Sequence, residues 1–313
     1  MAVLTQSPWQ GDNAPPAQRP ARINREVRSI DFQERRTAAI GLLLAICATA
    51  GGPPQRIVSL SPPITELLYG IGAFRQVVGV TDYCSYPPEV KKLPSVGGWD
   101  GASLEKLFAL RPDLIVVDDA EGALVEDKYR KLGLRLLIAP LHSVRDVYRT
   151  MTLLGEATGH SQEAAKLAAA TRDGLARVSQ KTAGLRRPSV VLIVDRAPGT
   201  LREMYTATAG GYLGELIDIA GGRIAVPAAK DGYGKLSTED LLAANPDLIL
   251  EFVQGATGRF SGNFMDAWRE MPELKAVRAG RVHAVNEDYV PHASQRMVQT
   301  AELFARLIHP EAK

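Results

Sequence analysis

The chain is poor in the residues that would announce chemistry of its own. Across 313 residues it has two cysteines, Cys47 and Cys84, and five histidines. The histidines (His142, His160, His283, His292 and His309) are scattered with no pair at ligand spacing, so no metal site is predicted. Charge of one sign is lacking too. With 37 basic and 35 acidic residues the formal net charge is +2, which makes no electrostatic case for nucleic acid. No apolar run approaches the roughly 20 residues that span a bilayer. There is no Gly-x-Ser-x-Gly elbow and no phosphate-cradling Gly-Lys-Ser/Thr. Gly70-Ile71-Gly72 follows a helical pattern, where a dinucleotide fingerprint must follow a strand. Asp118, Asp119 and Asp195 fall at strand ends without a base or nucleophile beside them. No catalytic residue is nominated, and a secreted α/β enzyme is only a remote alternative.

What is present begins with a leader. Residues 7–20 are rich in Pro, Gly, Ala and Gln. Arg19, Arg22, Arg25, Arg28, Arg35 and Arg36 gather most of the surplus positive charge before residue 40. Arg35-Arg36 then precede a short apolar run, Ala38 to Ala48, and a small-residue site, Ala48-Thr49-Ala50. That order predicts a secretory signal in residues 1–50, cleaved after Ala50. The leader is longer than the usual roughly 15–30 residues, and a start at Val27 would shorten it to ordinary length. Leu44-Ala45-Ile46-Cys47 resembles a lipidation box, but Ile46 is bulky where a small residue belongs. A soluble exported product is therefore expected ahead of a lipoprotein. Cys84 would then be its sole cysteine, with no intramolecular disulfide.

From Arg56 onward, short apolar runs alternate with helical patterns. Strands are expected at 57–60, 77–80, 114–117 and 136–138, with helices through 65–69, 103–110 and 123–132. Such continuous apolar strands between helices imply a parallel sheet covered on both faces. Residues 143–183 lack proline and read as two helices divided at Gly159-His160-Ser161, with Ser161 as N-cap. The second, about 20 residues and ~30 Å long, would be a stiff spine. Strands at 190–194, 248–250 and 282–285 and a helix at 212–219 follow. The expected organisation is a 51–145 lobe, a 146–187 helical connector and a 188–313 lobe. The fold class is α/β, two Rossmann-like lobes with parallel-rich sheets joined by one long rigid helix.

The halves echo each other. Ser103-Leu104-Glu105-Lys106-Leu107-Phe108-Ala109-Leu110-Arg111-Pro112-Asp113-Leu114-Ile115 is answered by Ser237-Thr238-Glu239-Asp240-Leu241-Leu242-Ala243-Ala244-Asn245-Pro246-Asp247-Leu248-Ile249. Ser, Glu, Leu, Ala, Pro-Asp and Leu-Ile recur in register. A common helix-to-strand connection explains Pro-Asp but not the whole register, which points to duplication.

Several segments carry a family resemblance. They are Arg56-Ile57-Val58-Ser59-Leu60-Ser61-Pro62 with Thr65-Glu66, then Gly79-Val80-Thr81-Asp82-Tyr83 with Tyr86-Pro87-Pro88. Val96-Gly97-Gly98-Trp99, Ser103-Leu104-Glu105, Ala220-Gly221-Gly222 and Ser237-x-Glu239 continue the series. In this order and spacing they resemble the helical-backbone (class III) periplasmic solute-binding proteins of ABC importers for cobalamin, ferric siderophores and haem. The resemblance implies a ligand held between two lobes, modest motion, and docking onto a permease dimer through one glutamate per lobe, here Glu105 and Glu239. Both glutamates stand two residues after a serine cap, where the helix dipole favours a carboxylate without any partner. Neither occupies the third position that a capping box would use; Lys106 and Asp240 do.

For the ligand, rings beside loop signals are the candidates: Tyr83, Trp99, Tyr233 and Tyr289. A ring flanked by glycines, as Tyr233 is, suits a flat exposed face better than a core, and stacking adds roughly 0.5–1.5 kcal/mol per ring. The resemblance to cobalamin-binding relatives favours Tyr83, Trp99 and Tyr233 around a corrin. Arginines against an anionic chelate would be Arg196, Arg202 or Arg296. Haem would want Tyr83, Tyr289 or His292 as an axial ligand. No cofactor is expected; the ligand would be a cobalt- or iron-containing chelate, cobalamin first.

Overall fold

The computed structural model describes residues 52–98, 101–229, 232–253 and 264–311. The expected leader, with Cys47, and Trp99 lie outside the described residues. The first sheet contains β1 (Ile57–Ser59), β2 (Val77–Gly79), β3 (Leu114–Asp118) and β4 (Leu136–Ala139). Its strands are all parallel, in the order β2-β1-β3-β4. Between them run α1 (Pro62–Gly70), α2 (Leu104–Leu110) and α3 (Asp119–Lys131). Two consecutive helices, α4 (Val144–Thr158) and α5 (Ser161–Thr182), lead to the second sheet.

That sheet holds β5 (Ser189–Asp195), β6 (Met204–Ala207), β7 (Arg223–Ile224), β8 (Tyr233–Leu236), β9 (Leu248–Phe252) and β10 (Val282–Val285). Its main path is β10-β9-β5-β6-β8, with β7 paired to β5. The β10-β9-β5 part is parallel, whereas β6 runs antiparallel to β5 and β8. Its helices are α6 (Tyr212–Ile219), α7 (Thr238–Ala244), α8 (Met265–Arg269), α9 (Lys275–Arg278) and α10 (Met297–Ile308).

The central parallel strands β1, β3, β5 and β9 read as largely apolar runs because they are buried on both faces. Successive side chains alternate sides, and the alternation sorts them into three cores. Ile57, Leu114 and Val116 share one central core with Val190, Leu192, Leu248 and Leu250 of the other sheet. Their neighbours Val58, Ile115 and Val117 fill a separate core behind the first sheet. Val191, Ile193 and Ile249 fill another behind the second, around the fully buried Trp268. The two sheets are therefore welded through apolar side chains as well as covalently linked.

The helical pair differs from expectation in one detail. Ser161 is the first helical residue of α5, and His160 is the cap, with no side-chain capping bond. The His160 ring turns back instead, its Nδ1 3.0 Å from the Thr158 carbonyl at the end of α4. Gly159 closes α4 in the left-handed region, φ 80°. A Cβ on Gly155 would stand 2.5 Å from that of Ala164, so glycine there lets α4 and α5 approach closely. The 22-residue α5 touches both halves: Leu167 packs where Gly70 of α1 has no side chain, and the Thr182 hydroxyl reaches the Ile219 carbonyl of α6 at 3.4 Å.

The polar joint between the halves is built on Glu66 of α1, which is 1% exposed. Its Oε1 faces His292 Nδ1 at 2.8 Å and accepts from Arg296 Nη1 at 3.0 Å; its Oε2 accepts from the Ser294 hydroxyl. The Glu66 carbonyl accepts from Gln295 Nε2 at 2.8 Å. Nearby, the Tyr212 backbone N–H donates to the His142 carbonyl, and the Val144 N–H to Glu215. Removing one partner of a buried ion pair strands the other charge. Glu66→Ala should therefore lower unfolding free energy by about 3–5 kcal/mol, read from urea denaturation. A loss below about 1 kcal/mol, the size of an exposed ion pair, would show that the joint is not where the halves are held.

Candidate functional site

In open α/β sheets, ligands bind outside the carboxyl ends of the strands. At that end of the first sheet, the loop after β2 carries Tyr83. This residue is 51% exposed, and its ring lies over Gly98, where an added Cβ would come within 3.0 Å of it. The backbone N–H of Asp82 donates to the Gly97 carbonyl at 3.0 Å, tying this loop to the glycine pair. Cys84, next along, is half-buried and turned inward, its Sγ 3.2 Å from the Thr65 hydroxyl and 3.3 Å from that of Thr81.

The same end of the second sheet comes to meet it. Ser85 donates to Asp288 at 2.9 Å, joining the loop of Tyr83 to the loop after β10 that carries Tyr289. The Arg296 guanidinium lies between two rings, 4.5 Å from Tyr86 of the first half and 4.9 Å from Tyr289 of the second. It donates to Glu66 at 3.0 Å and to Asp288 at 3.1 Å, and its side chain is 13% exposed. Burial pushes the Asp288 carboxyl up, but the Ser85 hydrogen bond and the Arg296 charge outweigh it and hold it below the usual carboxylate range. Tyr289 and Arg296, expected to face a ligand, are thus brought together as parts of the joint. His292 belongs to the same cluster through Glu66.

Two further expectations are corrected. Arg196 is not a loop arginine awaiting an anion. Its side chain and that of Glu251 are each 1% exposed and paired at 2.8 Å, with Trp268 Nε1 donating to the same carboxylate at 2.6 Å. Other donors of its guanidinium reach the Thr200 carbonyl at 2.8 Å and that of Phe264 at 3.3 Å, so it pins loops rather than presenting charge. Arg202 is exposed.

Tyr233 does not lie in a glycine loop; it opens strand β8. Gly232 is required by backbone crowding and by its φ of 77°, since a Cβ there would stand 2.5 Å from the Gly211 Cα. The Tyr233 ring stacks on Tyr205 of β6, centroids 6.4 Å apart and planes 13° from parallel. Burial, then the neighbouring Tyr205, pushes its hydroxyl up to about 12. Tyr205, 42% exposed, is the partner in this stack that sequence reasoning misses, because β6 has no apolar run to mark it. Tyr86 and Glu66 stand in recognisable segments, but nothing local says that they meet Arg296.

On the first half, Asp118 ends β3 and caps α3, accepting from the Glu121 N–H at 2.9 Å. Asp119 pairs with His142 at 2.7 Å. Among the described residues, no group of three potential ligands is placed to hold a metal ion. Glu105 and Glu239 are exposed in the first turns of α2 and α7, on serine-capped helices as expected. In α7 the capping box is closed by Asp240, which leaves Glu239 outside it.

Known proteins resemble this chain in sequence and fold. The family model described as "Periplasmic binding protein" matches residues 57–289. The uncharacterized ABC transporter substrate-binding lipoprotein YvrC of Bacillus subtilis is 28% identical over 265 residues, covering 82% of this chain and 81% of that protein. The vitamin B12-binding protein of Photorhabdus laumondii is 25% identical, covering 85% of this chain and 94% of its own length. Among solved structures, the periplasmic haem-binding protein RhuT of Roseiflexus sp. RS-1 superposes with a TM-score of 0.71 at 26% identity, over 84% of this chain and 100% of that one.

The site region also carries a pH signature. Burial, and then the Asp118 charge, raise Glu121 from an ordinary 4.5 to about 7. The folded state therefore holds a proton that the unfolded chain releases, and stability declines as pH rises from the ordinary glutamate range through about 7. Glu121→Gln should flatten that decline in thermal melts recorded between about pH 5 and pH 8. An unchanged slope would assign it to another group.

Proposed function

The chain belongs to the periplasmic binding protein family, and from that premise we propose that it captures a flat metal chelate, cobalamin first, between lobes formed by residues 51–145 and 188–313, with the 146–187 helices as connector. It is a substrate-binding component of an ABC importer, a transport part and not an enzyme, working outside the cytoplasm. Among the described residues no helix is long and apolar enough to cross a membrane. Residues 1–50 are read as the export leader. Cys47 is the residue that lipid would occupy were the protein tethered, as the name of YvrC states for that relative.

One observation carries the choice of ligand. Two of the three arginines that could receive an anionic siderophore or haem carboxylates, Arg196 and Arg296, are already engaged by Glu251, Glu66 and Asp288. Tyr83 and Tyr205 are exposed. Aromatic faces whose neighbouring cations are already paired suit a corrin fringed with neutral amides better than a polyanion. Tyr83, Trp99 and the Tyr205–Tyr233 stack are the proposed ligand contacts. Haem is the second reading, favoured by the likeness to RhuT and by the exposed Tyr83 as an axial ligand type, with Tyr289 and His292, which the joint engages, as the others. Glu105 and Glu239 are the proposed permease contacts.

Calorimetric titration of Gly51–Lys313 tests this with cyanocobalamin, then hemin, then a ferric hydroxamate. Cyanocobalamin should bind, and Tyr83→Ala or Trp99→Ala should each weaken it by up to about tenfold, the worth of one stacking ring. Hemin binding alone, with a Soret shift lost in Tyr289→Phe or His292→Ala, would transfer the site to haem. Tight ferric hydroxamate binding would reject the argument from engaged arginines. Separately, Glu105→Arg with Glu239→Arg should abolish uptake while leaving ligand titration intact; normal uptake would remove the docking role.

A further inference from the structure

The sequence echo around the two glutamates is also a repeat in three dimensions. Ser103 and Ser237 each accept from the backbone N–H three residues on, at 3.4 and 3.0 Å. Arg111 and Asn245, in register, both close their helices in the left-handed region, φ 44° and 37°. Asp113 accepts from the N–H groups of Gln55 and Arg56 at 2.7 and 2.9 Å, just before β1. Its counterpart Asp247 accepts from the Ser189 N–H at 3.0 Å, at the start of β5. Each Pro-Asp thus ties its serine-capped helix to the first strand of its own sheet, and the two helices are held in equivalent frames.

Within those frames one pair of side chains is out of place for folding. Phe108 is 46% exposed and Leu242, its equivalent, 38%, while Leu107 and Leu241 beside them are wholly buried. A single exposed apolar residue is ordinary. The same exposure at both copies of a duplicated position is not explained by chance surface composition. Each lies three residues after its glutamate, on the same helix face.

Resting on the importer reading above, the geometry points to Phe108 and Leu242 as paired apolar docking feet, each buried beside its glutamate when the protein sits on its permease. The repeat itself identifies the partner: two equivalent patches fit a partner that offers one surface twice, as a dimer of identical subunits does. Each half of that surface would present a cation for the glutamate and an apolar recess next to it. The feet are unequal. Lys106 accompanies Glu105, whereas Asp240 accompanies Glu239, so the first foot is the larger hydrophobe with balanced charge and the second is smaller and acidic. The ring therefore governs dissociation, and the acidic foot governs electrostatic steering.

The experiment is biolayer interferometry of the mature protein on its own purified importer in lipid nanodiscs, at low and high salt. Phe108→Ala should dissociate about tenfold faster at either salt, as loss of a buried aromatic anchor does. Phe108→Leu should restore most of the residence time, and Leu242→Ala should show a smaller effect. Glu239→Gln should instead slow association at low salt. Ligand titrations should match the parent throughout, since neither foot is among the proposed ligand contacts. Dissociation of both alanine variants within about twofold of the parent, with glutamate variants still impaired, would overturn the feet and leave the importer reading standing. No association of the parent at any salt would bring down both.

Discussion

The largest polar cluster joining the two halves is organised by one buried carboxylate. Glu66 belongs to the first half by sequence, and its partners His292, Ser294 and Arg296 all come from one short stretch of the second. A carboxylate at 1% exposure is tolerable only because its oxygens are occupied by donors. Any rotation that parts the halves must either expose that group or leave it unpaired, and must also open the apolar core shared by Ile57, Val116, Leu192 and Leu250. Polar and apolar constraints act in the same direction. They make large hinge opening costly.

The same joint shapes what can bind beside it. Arg296 is neutralised by Glu66 and Asp288 and covered by Tyr86 and Tyr289. A cation so enclosed contributes rigidity, and it is withdrawn from the electrostatics a ligand would meet. Arg196 is withdrawn likewise, by Glu251. Among the described residues, the carboxyl ends of the strands also carry the exposed rings of Tyr83 and Tyr205, the exposed Arg202, and half-buried acid that includes Glu121, which burial keeps readily neutral. The proposed ligand reading therefore rests on which arginines are engaged as much as on which rings are exposed.

Much of the fold is legible in the sequence because parallel strands buried on both faces leave unmistakable marks. The apolar runs around Val58, Val116, Val191 and Ile249 match their strands to within a residue or two. The helix at Tyr212–Ile219 and the strand at Val282–Val285 agree at both ends. The antiparallel β6 and β8 are not legible, for the opposite reason. Met204-Tyr205-Thr206-Ala207 and Tyr233-Gly234-Lys235-Leu236 are short and mixed in polarity, and the second is interrupted by glycine. Only their pairing with β5 and with each other makes them strands. The candidate site is less legible still. Tyr83 can be nominated from its place after a strand, but the stack of Tyr205 on Tyr233 and the enclosure of Arg296 depend on contacts between residues far apart in sequence. Ser161 is no cap, because the helix starts one residue early and the His160 ring turns to the end of the preceding helix.

The internal repeat, finally, separates two kinds of recognition. The halves agree at the serine caps, the left-handed closures at Arg111 and Asn245, and the aspartate ties to β1 and β5. They disagree at the carboxyl ends of the strands. There the first half runs from β1 almost directly into α1, while the second inserts β6 between the equivalent strand β5 and α6, pairs it with β8, and buries Arg196 against Glu251. A partner built from two like subunits requires two like faces, and selection toward symmetry acts only on the residues that touch it. An unsymmetrical ligand requires two unlike walls, and divergence between the halves is what supplies them. The places where the repeat persists are therefore the places to expect protein contact, and the places where it breaks are those to expect ligand.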